Sequence, residues 1–151
     1  MGRKRDWDGG EKMKKLTVPA EVGQLEPVQG FISQELKKYG CDMNIQFQIE
    51  MAVEEIFVNI AHYAYESGVG DATVLCEILD HPLRTVIQFM DHGTPFDPLK
   101  KEDADISPEA LEAREGGLGI LLVKKMMDEV SYKYEGGKNI LTIHKGLSDG
   151  S

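Results

Sequence analysis

Residues 45–65 read IQFQIEMAVEEIFVNIAHYAY, and the spacing of their apolar positions decides the fold. Ile49, Ala52, Val53, Ile56 and Ile60 recur at three- and four-residue steps, which is one apolar face of a helix. Phe57, Ala61 and Ala64 widen that face. Glu55 and Asn59 are four apart, so they stand one turn above each other on one side of the helix. A carboxylate and a carboxamide beside a buried stripe suit a pair that orients a nucleophile and holds a metal ion. Taken alone, Glu-x-x-x-Asn is the polar edge of an amphipathic helix; segments downstream change that weighting.

Upstream, Gly40 is a helix stop, and residues 19–39 carry Val22, Leu25, Val28, Ile32 and Leu36 at helical spacing. Pro27 falls inside that pattern, so the helix kinks there or starts near it. Leu16-Thr17-Val18 predicts a short strand, and residues 1–15, with Trp7 the only large apolar group before Met13, read as a frayed tail. Downstream, Ser67-Gly68-Val69-Gly70 ends the long helix. Residues 72–79 (ATVLCEIL) and 84–90 (RTVIQFM) are strand-like, and the short Asp80-His81-Pro82-Leu83 link makes them antiparallel. Ser107-Pro108-Glu109 opens a short helix to Arg114, residues 120–127 form another with Ile120, Val123 and Met127 on one face, and residues 131–134 and 139–144 form a hairpin about Glu135-Gly136-Gly137-Lys138.

The chain has 151 residues, the size of one domain with a real core, expected over residues 16–146 with tails at 1–15 and 147–151. Hydrophobic content of 41% and charged content of 28% are ordinary for a soluble globular protein. A net charge of −9 argues against nucleic acid as the main partner, because phosphate binding needs a basic face. Cys41 and Cys76 lack metal-ligand spacing and read as reduced core thiols of a cytoplasmic protein. No apolar run reaches membrane-spanning length, and the charged N-terminus has no signal-peptide apolar region.

Two glycine-bearing segments carry further chemistry. Asp91-His92-Gly93-Thr94-Pro95-Phe96-Asp97-Pro98 follows a strand: Asp91 can accept a hydrogen bond from an amino group, and Gly93 allows a flat ligand close to the backbone. Gly116-Gly117-Leu118-Gly119 runs into a helix, where exposed backbone N–H groups and the helix dipole attract an anion. Taken alone, each reads first as a plain loop or hinge.

Glu55-x-x-x-Asn59, then Asp91-x-Gly93-x-x-Phe96-Asp97, then Arg114-Glu115-Gly116-Gly117-Leu118-Gly119 in that order resembles the ATP-binding boxes of the GHKL superfamily, above all its bacterial anti-sigma factor serine kinases. Asp128-Glu129-Val130 also fits that branch, and the resemblance covers roughly residues 16–145. It implies an α/β (α+β) two-layer sandwich: a mixed, mainly antiparallel sheet covered on one face by helices. It implies ATP and Mg2+ as cofactors. Glu55 matches the general base, Asn59 the magnesium-ligating asparagine, Asp91 the reader of the adenine amino group and Gly93 the shaper of the base pocket. Gly117 and Gly119 match phosphate-facing glycines, with Gly116 and Leu118 completing their segment, and Arg114 matches the arginine of a mobile lid over residues 100–115. The family's His-Ala-Tyr after the asparagine is replaced by Tyr63-Ala64-Tyr65, with His62 one position early, so no histidine receives a role. A threonine of the last strand near the adenine has three candidate counterparts, Asn139, Ile140 and Thr142.

The function so implied is a cytoplasmic serine protein kinase that phosphorylates an anti-anti-sigma factor and sequesters a sigma factor, with a homodimer allowed and neither nucleic acid nor membrane as a direct partner. The alternative is a non-catalytic nucleotide-dependent binding module of a partner-switching pathway, which has no need of Glu55. A stand-alone histidine-kinase catalytic domain ranks third, because no helical segment bearing a phosphoacceptor histidine is present.

Overall fold

Inward- and outward-facing residues alternate along three neighbouring strands. In β2 (Asp71–Leu79), Ala72, Val74, Cys76 and Ile78 are buried; in β3 (Arg84–Asp91), Thr85, Ile87, Phe89 and Asp91; in β5 (Lys138–Gly146), Asn139, Leu141 and Ile143 share the same face. This period of two is the mark of a sheet with one covered side. The computed structural model describes residues 13–100 and 117–148. With β1 (Met13–Pro19) and β4 (Glu129–Glu135), the strands form one sheet in the order β1-β2-β3-β5-β4. Every pairing among the described residues is antiparallel, in keeping with the mainly antiparallel sheet expected.

Among the described residues three α-helices contribute to the layer over that face: α1 (Leu25–Lys38), α2 (Met43–Tyr63) and α3 (Gly117–Met126). The result is the two-layer α+β sandwich the sequence implies. Pro27 lies in the first turn of α1, where a backbone N–H has no intrahelical acceptor to lose, so the helix starts there rather than kinking. Val28, Ile32 and Leu36 form its buried stripe. Gly40 follows at φ +74°, a conformation that favours glycine. The Asp42 carboxylate caps α2, accepting from the backbone N–H groups of Asn44 (2.8 Å) and Ile45 (3.2 Å). Ile49, Ala52, Val53, Ile56 and Phe57 of α2 are buried against the sheet. Glu50 ties α1 to α2: its carbonyl accepts from Gln29 Nε2 at 2.7 Å, and its carboxylate accepts from Ser33 Oγ and Gln46 Nε2.

Of the boundaries that differ from the sequence reading, three bear on packing. Strand β1 begins at Met13, so residues 13–15, expected in a tail, pair with Glu77, Cys76 and Leu75; lysines suit such an edge strand. Leu147, expected in the C-terminal tail, is fully buried, its N–H donating to Leu83 O and its carbonyl accepting from Asp42 N. Helix α3 begins at Gly117 rather than Ile120, so Gly117, Leu118 and Gly119 form its first turn. The hairpin matches expectation: Gly136 and Gly137 carry φ of +62° and +77° between β4 and β5, the backbone of a two-residue type I′ turn. The helix read at 107–114 lies outside the described residues.

Besides the buried hydroxyl of Thr85, one further place among the described residues breaks the apolar rule of the covered face. The register pairs Ala72 with Asp91 and Asp91 with Asn139, so a carboxylate and a carboxamide stand side by side there, 5% and 8% exposed.

Phe57 is fully buried where α2 meets the sheet. Phe57→Ala is expected to cost about 3–5 kcal/mol of stability through lost burial and an unfilled cavity. Urea denaturation measures it, and a loss below about 1 kcal/mol would contradict this packing.

Candidate functional site

The C-terminal end of α2 seats the loop that follows β3. Thr94 N–H donates to Ala64 O at 2.9 Å. A Cβ on Gly93 would stand 1.9 Å from that same carbonyl oxygen, a contact with backbone that no rotamer can relieve. Glycine is therefore required for the loop to lie on the helix end. The Tyr65 hydroxyl donates to Asp71 O at 2.6 Å and accepts from His92 N–H at 2.8 Å. Its ring lies over Gly70, where an added Cβ would be 2.3 Å from Tyr65 Cζ. Helix end, first residue of β2 and post-β3 loop are thus pinned by one side chain.

Asp91 is held just as closely. Its Oδ1 accepts from Gly93 N–H at 2.8 Å and from Asn139 Nδ2 at 2.9 Å. Asn139 Nδ2 also reaches Thr94 O (3.0 Å) and Gly93 O (3.4 Å). Asn139 Oδ1 accepts from Phe96 N–H at 3.1 Å and from the Tyr132 hydroxyl. Among the described residues no donor reaches Asp91 Oδ2. Of the three last-strand candidates, Asn139 is the one beside Asp91. Thr142 accepts from Gln88 Nε2 at 3.2 Å, and Ile140 pairs with Met90, both on the opposite face of the sheet.

The other half of the site lies nearer the start of the same helix. The Glu55 carboxylate fills the space in front of Gly119, where a Cβ would be 1.8 Å from Oε1. It therefore meets the first turn of α3, where the dipole favours negative charge. Burial, and secondarily the charge of Glu54, pushes the Glu55 carboxyl above its ordinary value. Asn59 sits one turn further along α2, half-buried. Nine residues separate Glu55 from Ala64, roughly 13 Å of helix at about 1.5 Å each.

The structure thus brings Glu55 to Gly119 and Asp91 to Gly93, with Asn59 between them on the helix. Arg114, Gly116 and the lid expected over 100–115 lie outside the described residues, apart from Lys100 at the end of a short 3₁₀ turn. His62 lies beside the Tyr63 ring, 5.8 Å between centroids, and His92 is exposed. Cys41 and Cys76 are free thiols, each pushed up to about 11, mainly by burial. Among the described residues no group of three or more His, Cys, Asp or Glu converges as a metal site. Sequence reasoning gave no role to Tyr65 or Tyr132; their roles are set by partners in other elements, and only the aromatic after Asn59-x₅ marked the first.

Gly93→Ala has to lift the loop off Ala64 O and is expected to cost about 1–3 kcal/mol, the range for forced overpacking. Gly119→Ala meets only the end of a flexible glutamate and should cost less. Thermal melting compares them, and a wild-type midpoint for Gly93→Ala would show that the loop is not seated as described.

Comparison with known proteins agrees with this architecture. The chain is 29% identical over 138 residues to the serine-protein kinase RsbW of Staphylococcus aureus (strain JH9), covering 86% of this chain and 84% of the relative. Its fold superposes on the RsbU and RsbW domains of Rv1364c from Mycobacterium tuberculosis with a TM-score of 0.64 at 15% identity, over 92% of this chain but only 33% of that one. A second solved structure, the SiaB–SiaC complex of Pseudomonas aeruginosa, gives a TM-score of 0.58 at 17% identity over 90% and 91% of the two chains. Residues 18–145 match the Histidine kinase-like ATPase domain, and the chain belongs to that family.

Proposed function

We propose that the chain is an ATP- and Mg2+-dependent serine protein kinase that acts in the cytoplasm as an anti-sigma factor. Its substrate is an anti-anti-sigma protein, and the partner it sequesters is a sigma factor. The observation that carries the reading is the pairing along one helix: Glu55 against the first turn of α3, and Ala64 against the Asp91 loop. The span between them, roughly 13 Å, is comparable with an extended nucleoside triphosphate. Kinship with a serine-protein kinase over most of both chains supports the activity. No helix among the described residues is long and apolar enough to cross a membrane.

In this reading Asp91 accepts the adenine amino group, and the Gly93 backbone admits the flat base. The backbone N–H groups opening α3 face the phosphates. Asn59 offers a carboxamide oxygen, a donor suited to a hard cation, and a single protein ligand suffices for a magnesium ion that shares its shell with phosphates and water. Bound Mg-ATP supplies the transferable phosphoryl group, and its metal offsets the phosphate charge. Glu55 takes the proton from the acceptor serine hydroxyl; the freed oxygen bonds to the γ-phosphorus as the bond to the β-phosphate bridging oxygen breaks and ADP leaves. A half-buried carboxylate with a raised pKa is a better proton acceptor than an exposed one.

Glu55→Gln is expected to slow serine phosphorylation about 10²–10⁴-fold while Mg-ATP affinity changes little. Asn59→Ala should weaken both magnesium-dependent affinity and turnover. Calorimetry and a phosphotransfer assay on the co-purified partner separate the two effects. Wild-type turnover in Glu55→Gln would refute the base assignment, and a wild-type protein that binds ATP and partner without transferring phosphate would leave a binding module.

The pH profile is a further check. The base works ionised, so activity should fall on acidification at a pH above that of an ordinary carboxylate. Glu54→Gln removes a neighbouring like charge and should move that limb to lower pH. An unmoved limb would show that Glu54 does not act on Glu55.

A further inference from the structure

An aspartate does not by itself choose adenine. Adenine presents one amino group to a carboxylate and can be satisfied by a single oxygen. Guanine presents a ring N–H and an amino N–H side by side, which pair with both oxygens at once, the stronger two-point arrangement. A carboxylate with both oxygens free therefore accepts guanine at least as well as adenine. Selectivity depends on how many of its lone pairs the protein has already used.

Here one oxygen of Asp91 is fully used. Oδ1 accepts from Gly93 N–H at 2.8 Å and Asn139 Nδ2 at 2.9 Å, one donor for each lone pair. Oδ2 takes no donor among the described residues. The Asn139 amide cannot turn over to release Oδ1. Its own oxygen is held by Phe96 N–H and the Tyr132 hydroxyl, and its nitrogen faces the carbonyls of Thr94 and Gly93. A flipped amide would set oxygen against three acceptors and nitrogen against the Phe96 N–H. We infer that Asn139, locked by Tyr132, is the specificity-determining residue of the base pocket: by filling Asp91 Oδ1 it leaves one oxygen, enough for adenine and insufficient for guanine. This deepens the nucleotide-binding reading above and rests on it.

A purely structural Asn139 would tie the loop to β5 and influence all nucleotides alike. The ratio of affinities separates the two roles. Calorimetric titration of the full chain with Mg2+ and the imido analogues of ATP and GTP is the experiment. The wild type is expected to prefer the adenine analogue by about tenfold or more, the scale of one two-point contact. Asn139→Leu, of similar shape but without a donor, should lose most of that preference. Asn139→Thr, whose hydroxyl can donate to Oδ1, should retain it. Tyr132→Phe, a change at the half-exposed sheet edge, should lower the ratio by a smaller factor and decides the matter if Asn139→Leu does not fold. Equal wild-type affinity for the two analogues overturns the inference, as does an unchanged ratio in the variants with both affinities reduced together. A wild-type protein that binds neither analogue overturns the nucleotide reading and this inference with it.

Discussion

A carboxylate on the covered face of a sheet is costly unless its oxygens are hydrogen-bonded, and Asp91 is the point around which the neighbouring structure is arranged. Its Oδ1 turns the Gly93 backbone, its neighbour Asn139 reaches the loop carbonyls, and Tyr132 and Phe96 hold Asn139 in turn. The post-β3 loop has no apolar core of its own. It is held by this polar set on one side and by Ala64 O and Tyr65 on the other. Removing one member leaves others buried without partners, which is why such networks act as units.

Helix α2 supplies the second constraint. Its buried stripe from Ile49 to Phe57 packs on the sheet and fixes its rotation. That rotation places Glu55 toward α3 and, further along, directs the helix end at the Asp91 loop. Two separate placements therefore follow from one packing interface, and the two glycine-bearing segments need only meet this helix in space.

The features legible in the sequence were the local ones. The helical period of residues 45–65, the strands flanking a short link and the Gly136-Gly137 turn all follow from neighbours in the chain. Asn139 could not be chosen over Ile140 and Thr142, because its partner Asp91 lies 48 residues away and the β3–β5 register is not written in either strand. Tyr65 was silent for the same reason: its partners come from β2 and from the loop after β3. Helix α3 starts ahead of Ile120 although glycine is a poor helix former, because packing against α2 outweighs that local preference.

The continuity of α2 between Glu55 and Ala64 limits how this chain can vary. No glycine or proline interrupts residues 55–64, so the segment behaves as a rod of fixed length. One inserted or deleted residue there would turn everything beyond it by about 100° and slide it about 1.5 Å. Glu55 could then not stay against Gly119 while the helix end stays seated under the Asp91 loop. Length variation among related chains should therefore accumulate in connections such as residues 67–70, while the distance from Glu55 to Ala64 stays constant however far the side chains between them drift.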